Sequence, residues 1–171
     1  MIEYRDAVPG DGQELAAMAR GCFTDTFATL YSPENLAMFL DRAFGPAGLP
    51  SQIGDPAFTI RLATDAGHIV GFAKIGPNAL PFPQAEDANA VELYQLYVAG
   101  THHGDGVGPA LLDWAIGAAR GFGADTLALS VYVDNHRAKR FYERYGFVDV
   151  GRYDFPVGDQ IDEDRLMVLA L

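Results

Sequence analysis

The segment Leu93-Tyr94-Gln95-Leu96-Tyr97-Val98-Ala99-Gly100-Thr101-His102-His103-Gly104-Asp105-Gly106-Val107-Gly108 decides how this chain is read. Val91 to Val98 is apolar and aromatic, which predicts a strand. Gly104, Gly106 and Gly108 follow at alternate positions. Behind them Leu111, Leu112, Ala115, Ile116 and Ala119 share one helical face, so Pro109 to Phe122 reads as a helix. Glycine admits positive φ and close backbone approach, so such a turn gathers several N–H groups into one concavity. The helix start adds free N–H groups and a partial positive charge. The turn is therefore expected to hold an anion, most naturally a phosphate or pyrophosphate. A tight strand–helix turn without a ligand is the plainer alternative.

Two familiar phosphate loops do not fit. A Walker A loop needs Lys followed by Ser or Thr after its last glycine, and Pro109-Ala110 stands there. A dinucleotide fingerprint needs glycine three residues after Gly106, where Pro109 stands instead, and the strand lies mid-chain rather than opening a βαβ unit.

Working outward, Ile2 to Asp6 alternates as a strand, and Pro9-Gly10-Asp11-Gly12 turns into a helix carrying Leu15, Met18, Ala19, Cys22, Phe23 and Phe27. Ser32-Pro33-Glu34 reads as an N-cap with proline at the first helical position, opening a second helix. Gly45 to Pro56 is turn-rich. Phe58 to Thr64 and His68 to Ile75 are joined by Asp65-Ala66-Gly67 as a hairpin, and Pro77 to Asn89, with three prolines, is a loop. Thr126 to Val133 reads as a buried strand. Asn135 to Tyr145 reads as a helix ended by Gly146, and Phe147 to Phe155 and Leu166 to Leu171 as the last strands. The order β-α-α-β-β-β-α-β-α-β-β predicts one layered α/β domain over residues 1–171.

Composition narrows the function classes. The chain has 171 residues, 49% of them hydrophobic, enough for a real core. No stretch is apolar enough for a transmembrane helix, and the charged, alternating start Met1-Ile2-Glu3-Tyr4-Arg5-Asp6 is unlike a signal peptide. One cysteine, Cys22, fits a reducing cytoplasm and reads as a small packed residue rather than a nucleophile. Twelve basic residues against 23 acidic give −11, which repels nucleic acid and favours a cationic or neutral partner. The basic residues Arg137, Lys139, Arg140 and Arg144 cluster in one short helix. His102 and His103 have no further ligand at metal spacing, so no metal is expected.

The segment Asn135-His136-Arg137-Ala138-Lys139-Arg140-Phe141-Tyr142-Glu143-Arg144-Tyr145-Gly146-Phe147 carries the second motif. Asn135 and Tyr142 are seven apart, two helical turns, and so share a face. Asn135 reads on its own as an N-cap and Tyr142 as an amphipathic packing residue. Together with His103-Gly104-Asp105-Gly106-Val107-Gly108, however, this block resembles the GNAT (GCN5-related N-acetyltransferase) family in both of its CoA motifs. The resemblance covers most of the chain. The two early helices and the ending Phe155…Gly158…Asp164-x-Leu166-Met167 look like the branch that includes polyamine acetyltransferases. His103 replaces the usual Gln or Arg before the turn, and Asp105 stands where Arg or Lys is common.

The resemblance implies a mixed, mostly antiparallel central sheet with helices on both faces, and acetyl-CoA as co-substrate. Leu96, Tyr97 and Val98 would pair with the pantetheine arm, and amides from Gly104, Asp105, Gly106, Val107 and Gly108 would hold the pyrophosphate beside His103. Asn135 would bond the pantetheine. Tyr142 would lie near the thioester sulfur as the acid, since a departing thiolate needs a proton. Glu92 resembles the family's acidic residue that serves as base; an exposed strand-end carboxylate is the alternative. The acceptor would be a small-molecule amine, such as a polyamine. Phe27, Tyr31 and the Pro77–Asn89 loop would wall its pocket, and Glu34, Asp87 and Glu92 would lie along its path. Acetylation of a peptide amine and a non-catalytic acyl-CoA sensor are the competing readings. Dimers are common in families of this kind, and no patch in the sequence identifies a homodimer here.

Overall fold

Ala66 and Gly67, with φ of +49° and +84°, close the first hairpin as a two-residue turn whose positive φ values match the twist of the strands on either side. The computed structural model describes residues Met1–Leu171. Seven strands form one sheet: β1 Ile2–Asp6, β2 Thr59–Asp65, β3 His68–Pro77, β4 Ala90–Val98, β5 Thr126–Tyr132, β6 Val148–Val157 and β7 Gln160–Ala170. Their order is β1-β2-β3-β4-β5-β7-β6, antiparallel everywhere except between β4 and β5. The sheet is thus mixed and mostly antiparallel, as the resemblance implied.

Helices α1 Gly12–Phe27 and α2 Pro33–Phe44 cover one face, packing Leu15, Phe23 and Phe44 on Leu62 and Phe72. Ser32 caps α2 by accepting from Asn35 N at 3.1 Å, with Pro33 at the first helical position. The other face carries α3 Val107–Gly121 and α4 His136–Arg144, whose Leu111, Leu112 and Tyr142 pack with Ala73, Leu93 and Leu129. Gly71 lets α3 approach β3, because a Cβ there would stand 3.0 Å from Val107 Cγ1.

Two departures from regular strands position the site. First, β4 is bulged, its register against β3 slipping between Lys74–Gln95 and Ile75–Leu93. Val91 and Leu93 face the α3 side, and so do Leu96 and Val98, whereas Tyr97 packs on the α1 side. Strict alternation from Leu93 would have turned Tyr97 toward α3; the extra residue reverses it. Second, β4 and β5 pair only at Ala90–Thr126, Val91–Leu127 and Glu92–Ala128. Beyond Glu92 they splay, leaving Leu93–Val98 and Leu129–Tyr132 facing each other across a gap.

The last strand is longer than its sequence suggested. It begins at Gln160 rather than Leu166, after a turn in which Gly158 has φ +59° and Asn35 Oδ1 accepts from Asp159 N at 2.9 Å. The acidic run Asp162-Glu163-Asp164 concealed it. In the strand, Glu163 and Arg165 pair with Arg152 (3.0 Å) and Asp149 (2.9 Å) of β6, while Asp162 and Asp164 turn inward and are buried.

Candidate active site

The gap leads directly into the glycine turn. Gly104 (φ +92°) and Gly106 (φ +82°) are both left-handed, a conformation that favours glycine, and Gly106 is the N-cap of α3 without any side-chain cap. The N–H groups of Gly104, Gly106, Val107 and Gly108 donate to no protein acceptor. Pro109, in the first turn of α3, has no N–H to leave unpaired. Asp105 is exposed, and its own N–H is spent on the His102 carbonyl at 3.4 Å. Four unpaired amides in a left-handed glycine turn at a helix start fit a diphosphate.

The helix α4 closes the other side of the gap. Arg137 donates to His103 Nδ1 at 2.8 Å, and His103 Nε2 reaches the Val98 carbonyl at 2.9 Å. The expected residues Val98 and His103 are therefore in contact, and Arg137, noticed in the sequence only as part of a basic cluster, joins them. Asn135 caps α4, its Oδ1 accepting from Ala138 N at 3.2 Å and its amide NH2 remaining free. Phe141 approaches Gly108, its Cζ 3.8 Å from where a Cβ would stand, which brings α4 against the turn.

Tyr142 is 9% exposed and packs against Phe141 and Phe147 at ring distances of 5.3 and 5.5 Å. Its hydroxyl makes no hydrogen bond within the protein and is not sealed from solvent. Burial alone pushes this phenol up, so it keeps its proton. Tyr97, reversed by the bulge, packs edge-on to Phe44 and Phe72 on the α1 side, and burial pushes its phenol up. Cys22 is half-buried, and burial lifts its thiol to about 11, away from a nucleophile's range.

Glu92 is not an exposed strand-end carboxylate. It is 7% exposed, at the last β4–β5 rung, and accepts from Ala79 N at 2.9 Å. The Pro77–Asn89 loop covers it, with Leu80 and Phe82 anchored on Ala128 and Leu166. Burial pushes Glu92 up, while the Ala79 amide and Lys74 pull it back. Lys74 itself is 3% exposed, bonded to Gln52 Oε1 at 2.6 Å and held over the rings of Tyr94 and Phe58; burial lowers it to about 8.

On the α1 side, Phe27 stands edge-on to Tyr132 at 5.9 Å, and Tyr31 donates to Asp162. Both expected wall residues thus lie over the β5–β7 side of the gap. Glu34 and Asp87 are exposed surface carboxylates. Asp162 and Asp164 are buried polar residues that sequence reasoning missed.

Comparison with known proteins agrees with this geometry. Residues 13–147 match the acetyltransferase (GNAT) family. An uncharacterized N-acetyltransferase of Mycobacterium tuberculosis is 33% identical over 161 residues, covering 94% of this chain and 98% of that protein. A second uncharacterized N-acetyltransferase, from Lactobacillus delbrueckii subsp. lactis, is 28% identical over 94% of this chain and 92% of its own. In fold, the PaiA N-acetyltransferase of Thermoplasma acidophilum, solved in complex with coenzyme A, superposes with a TM-score of 0.80 at 22% identity, over 100% of this chain and 99% of that one. No helix here is long and apolar enough to cross a membrane. With its split sheet, its cradle of free amides and these relatives, the chain belongs to the GNAT acetyltransferase family and is an acyltransferase that draws on acetyl-CoA.

Proposed function

We propose that this protein transfers an acetyl group to the primary amine of a small cationic acceptor such as a polyamine, directly and in the cytoplasm, with no covalent enzyme intermediate. The observation that carries the reading is the continuous run from the bare edge of β4, through Val98 and His103, to the four free amides of the glycine turn. Acetyl-CoA brings an activated thioester. Leu96, Tyr97 and Val98 offer it strand-like backbone pairing, the amides of Gly104, Gly106, Val107 and Gly108 hold its diphosphate while that of Asp105, expected to join them, is spent on the His102 carbonyl, and Asn135 offers its free NH2. Backbone N–H groups along β4 polarise the carbonyl. Tyr142 holds a proton at its hydroxyl for the leaving sulfur, and Glu92 accepts one from the nitrogen, directly or through a water.

A small acceptor is favoured by the aromatic wall on the β5–β7 side of the gap, where Phe27 meets Tyr132 and Tyr31 meets Asp162; a peptide acceptor calls for an open groove. The net charge of −11 suits a cation. Thermal unfolding with and without acetyl-CoA tests the cofactor half. Ligand at one hundred times its Kd adds about 2.7 kcal/mol, a rise of roughly 5–10 °C for a chain of this size. A rise of that order, followed by thiol release with polyamines, supports the reading; no shift at millimolar ligand sinks it.

A further inference from the structure

Asp162 and Asp164 lie two residues apart on β7 and turn to the same face, the one under α1 and the Tyr31 connection. Their surroundings differ. Both oxygens of Asp162 are engaged, Oδ2 by the Tyr31 hydroxyl and Oδ1 by Gln160 Nε2 at 2.8 Å. Asp164 is only 6% exposed, yet no donor makes a well-formed hydrogen bond to it. The Ser130 hydroxyl lies close enough to favour its ionised form without reaching that geometry.

Ser130 is thus its one nearby donor, and because the Asp164 oxygens are not sealed from solvent, a ligand cation can reach a carboxylate that the protein itself leaves weakly paired. No basic residue of the chain faces it. Arg165 and Arg152, on β7 and β6, are spent on Asp149, Asp154 and Glu163, and Lys74 is bound to Gln52 beyond β4. The groups around it from the packed elements are Asp162 on its own strand, Ser130 and Tyr132 on β5, Tyr153 on β6, Tyr97 on β4 and Tyr31 above. All are acidic, phenolic or hydroxylic. Asp164 is the ladder partner of Tyr132, at the end of β5 that lies beyond the last β4–β5 rung, so this acidic, aromatic site borders the splayed part of the sheet.

We infer that Asp164, with Asp162 fixed beside it, receives the acceptor's ammonium group and takes its first proton. This rests on the proposed transfer to a cationic amine. One N–H bond of the ammonium breaks, the proton passes to Asp164 Oδ, and the electron pair stays on nitrogen as the attacking lone pair. Once the C–N bond has formed, the second proton leaves through water, with Glu92, four rungs along the ladder, as its final acceptor, and Asp164 returns its own to water. Burial, reinforced by Asp162, lifts the Asp164 carboxyl to about 7, a value matched to that exchange. The acceptor class follows: an alkyl amine whose neighbours are neutral or cationic, since a nearby carboxylate would face two buried ones.

The test uses the full chain and its Asp164→Asn variant, with 1,4-diaminobutane as probe and 4-aminobutyrate as a control of like size. Calorimetry in the presence of coenzyme A reads amine binding without turnover. The wild type is expected to bind the diamine at least about tenfold more tightly than the control, and the variant to lose at least about tenfold in diamine affinity. In the pH profile of kcat/KM, the limb near pH 7 should vanish in the variant. Equal binding of diamine by both proteins, or an unchanged limb, overturns the assignment. Stabilisation by acetyl-CoA is measured on both. If it is retained while the amine results fail, Asp164 alone is rejected; if the wild type itself gains nothing, the transfer reading is what fails.

Discussion

Arg137 and His103 hold each other across the open end of the sheet, guanidinium to Nδ1 at 2.8 Å. Arginine can only donate, so Nδ1 accepts and the imidazole proton sits on Nε2, where it donates to the Val98 carbonyl at 2.9 Å. One contact thereby sets a tautomer and links α4 to the end of β4. It also brings a permanent cation beside the amides of the glycine turn.

Arg137→Ala is therefore expected to weaken acetyl-CoA binding about tenfold or more, the scale of a hydrogen bond to a charged group. It should also flatten the salt dependence of binding. Turnover at saturating cofactor should change less than about threefold. Calorimetry at two salt concentrations checks this, and an unchanged Kd removes Arg137 from the anion site.

Gly106→Ala should cost about 1–2 kcal/mol, because φ is +82° there and a side chain resists the left-handed region. Nothing lies within 4 Å of the added methyl, so the cost is backbone strain rather than collision. Unfolding temperature should fall by roughly 2–8 °C and acetyl-CoA affinity should drop with it. Gly10→Ala, also in open space but without positive φ, should change neither.

Tyr142→Phe removes a hydroxyl that bonds to nothing in the protein. Stability should stay within about 0.5 kcal/mol and acetyl-CoA affinity within about threefold, while kcat falls by about 100-fold or more. Equal losses in binding and turnover would take Tyr142 out of the acid role.

Asp164→Asn should stabilise the protein in alkaline solution and not in acid. The folded carboxyl titrates near 7, above its ordinary unfolded value. The native state thus holds the extra proton between about pH 4 and pH 7. Stability from this group is complete below the unfolded value and is lost as pH rises through 7. By pH 8 the loss is on the order of 3–4 kcal/mol, which asparagine escapes. Unfolding temperatures at pH 5 and pH 8 should converge in the variant; parallel curves for the two proteins contradict the buried charge.

Local signals explain what was legible. The Ser32-Pro33 start of α2, the Ala66-Gly67 turn and the glycines of the anion turn each follow from short-range backbone chemistry, and each lies where the sequence suggested. Asn135 proved to be the N-cap its residue type implied. What escaped depends on distant partners. The N-terminal half of β7 reads as polar until Arg152 and Asp149 of β6 account for Glu163 and Arg165. The bulge in β4, which decides which face Tyr97 takes, leaves no mark in an apolar run. For Glu92 the choice between a base and an exposed strand-end carboxylate stayed open in the sequence, because the loop that buries it, through Leu80 and Phe82, is far from any regular pattern.

The short ladder between β4 and β5 has a consequence for handling the protein. Where the ladder stops, Leu93–Val98 and Leu129–Tyr132 are edge strands enclosed within a sheet rather than at its rim. Edges invite foreign strands, and this one carries neither the charge nor the proline that usually deters them. On the proposed reading the pantetheine arm completes this hydrogen bonding as the missing strand, so loaded protein should resist heat-induced aggregation where empty protein does not. Depletion of acetyl-CoA then bears on the solubility of the chain as much as on its turnover.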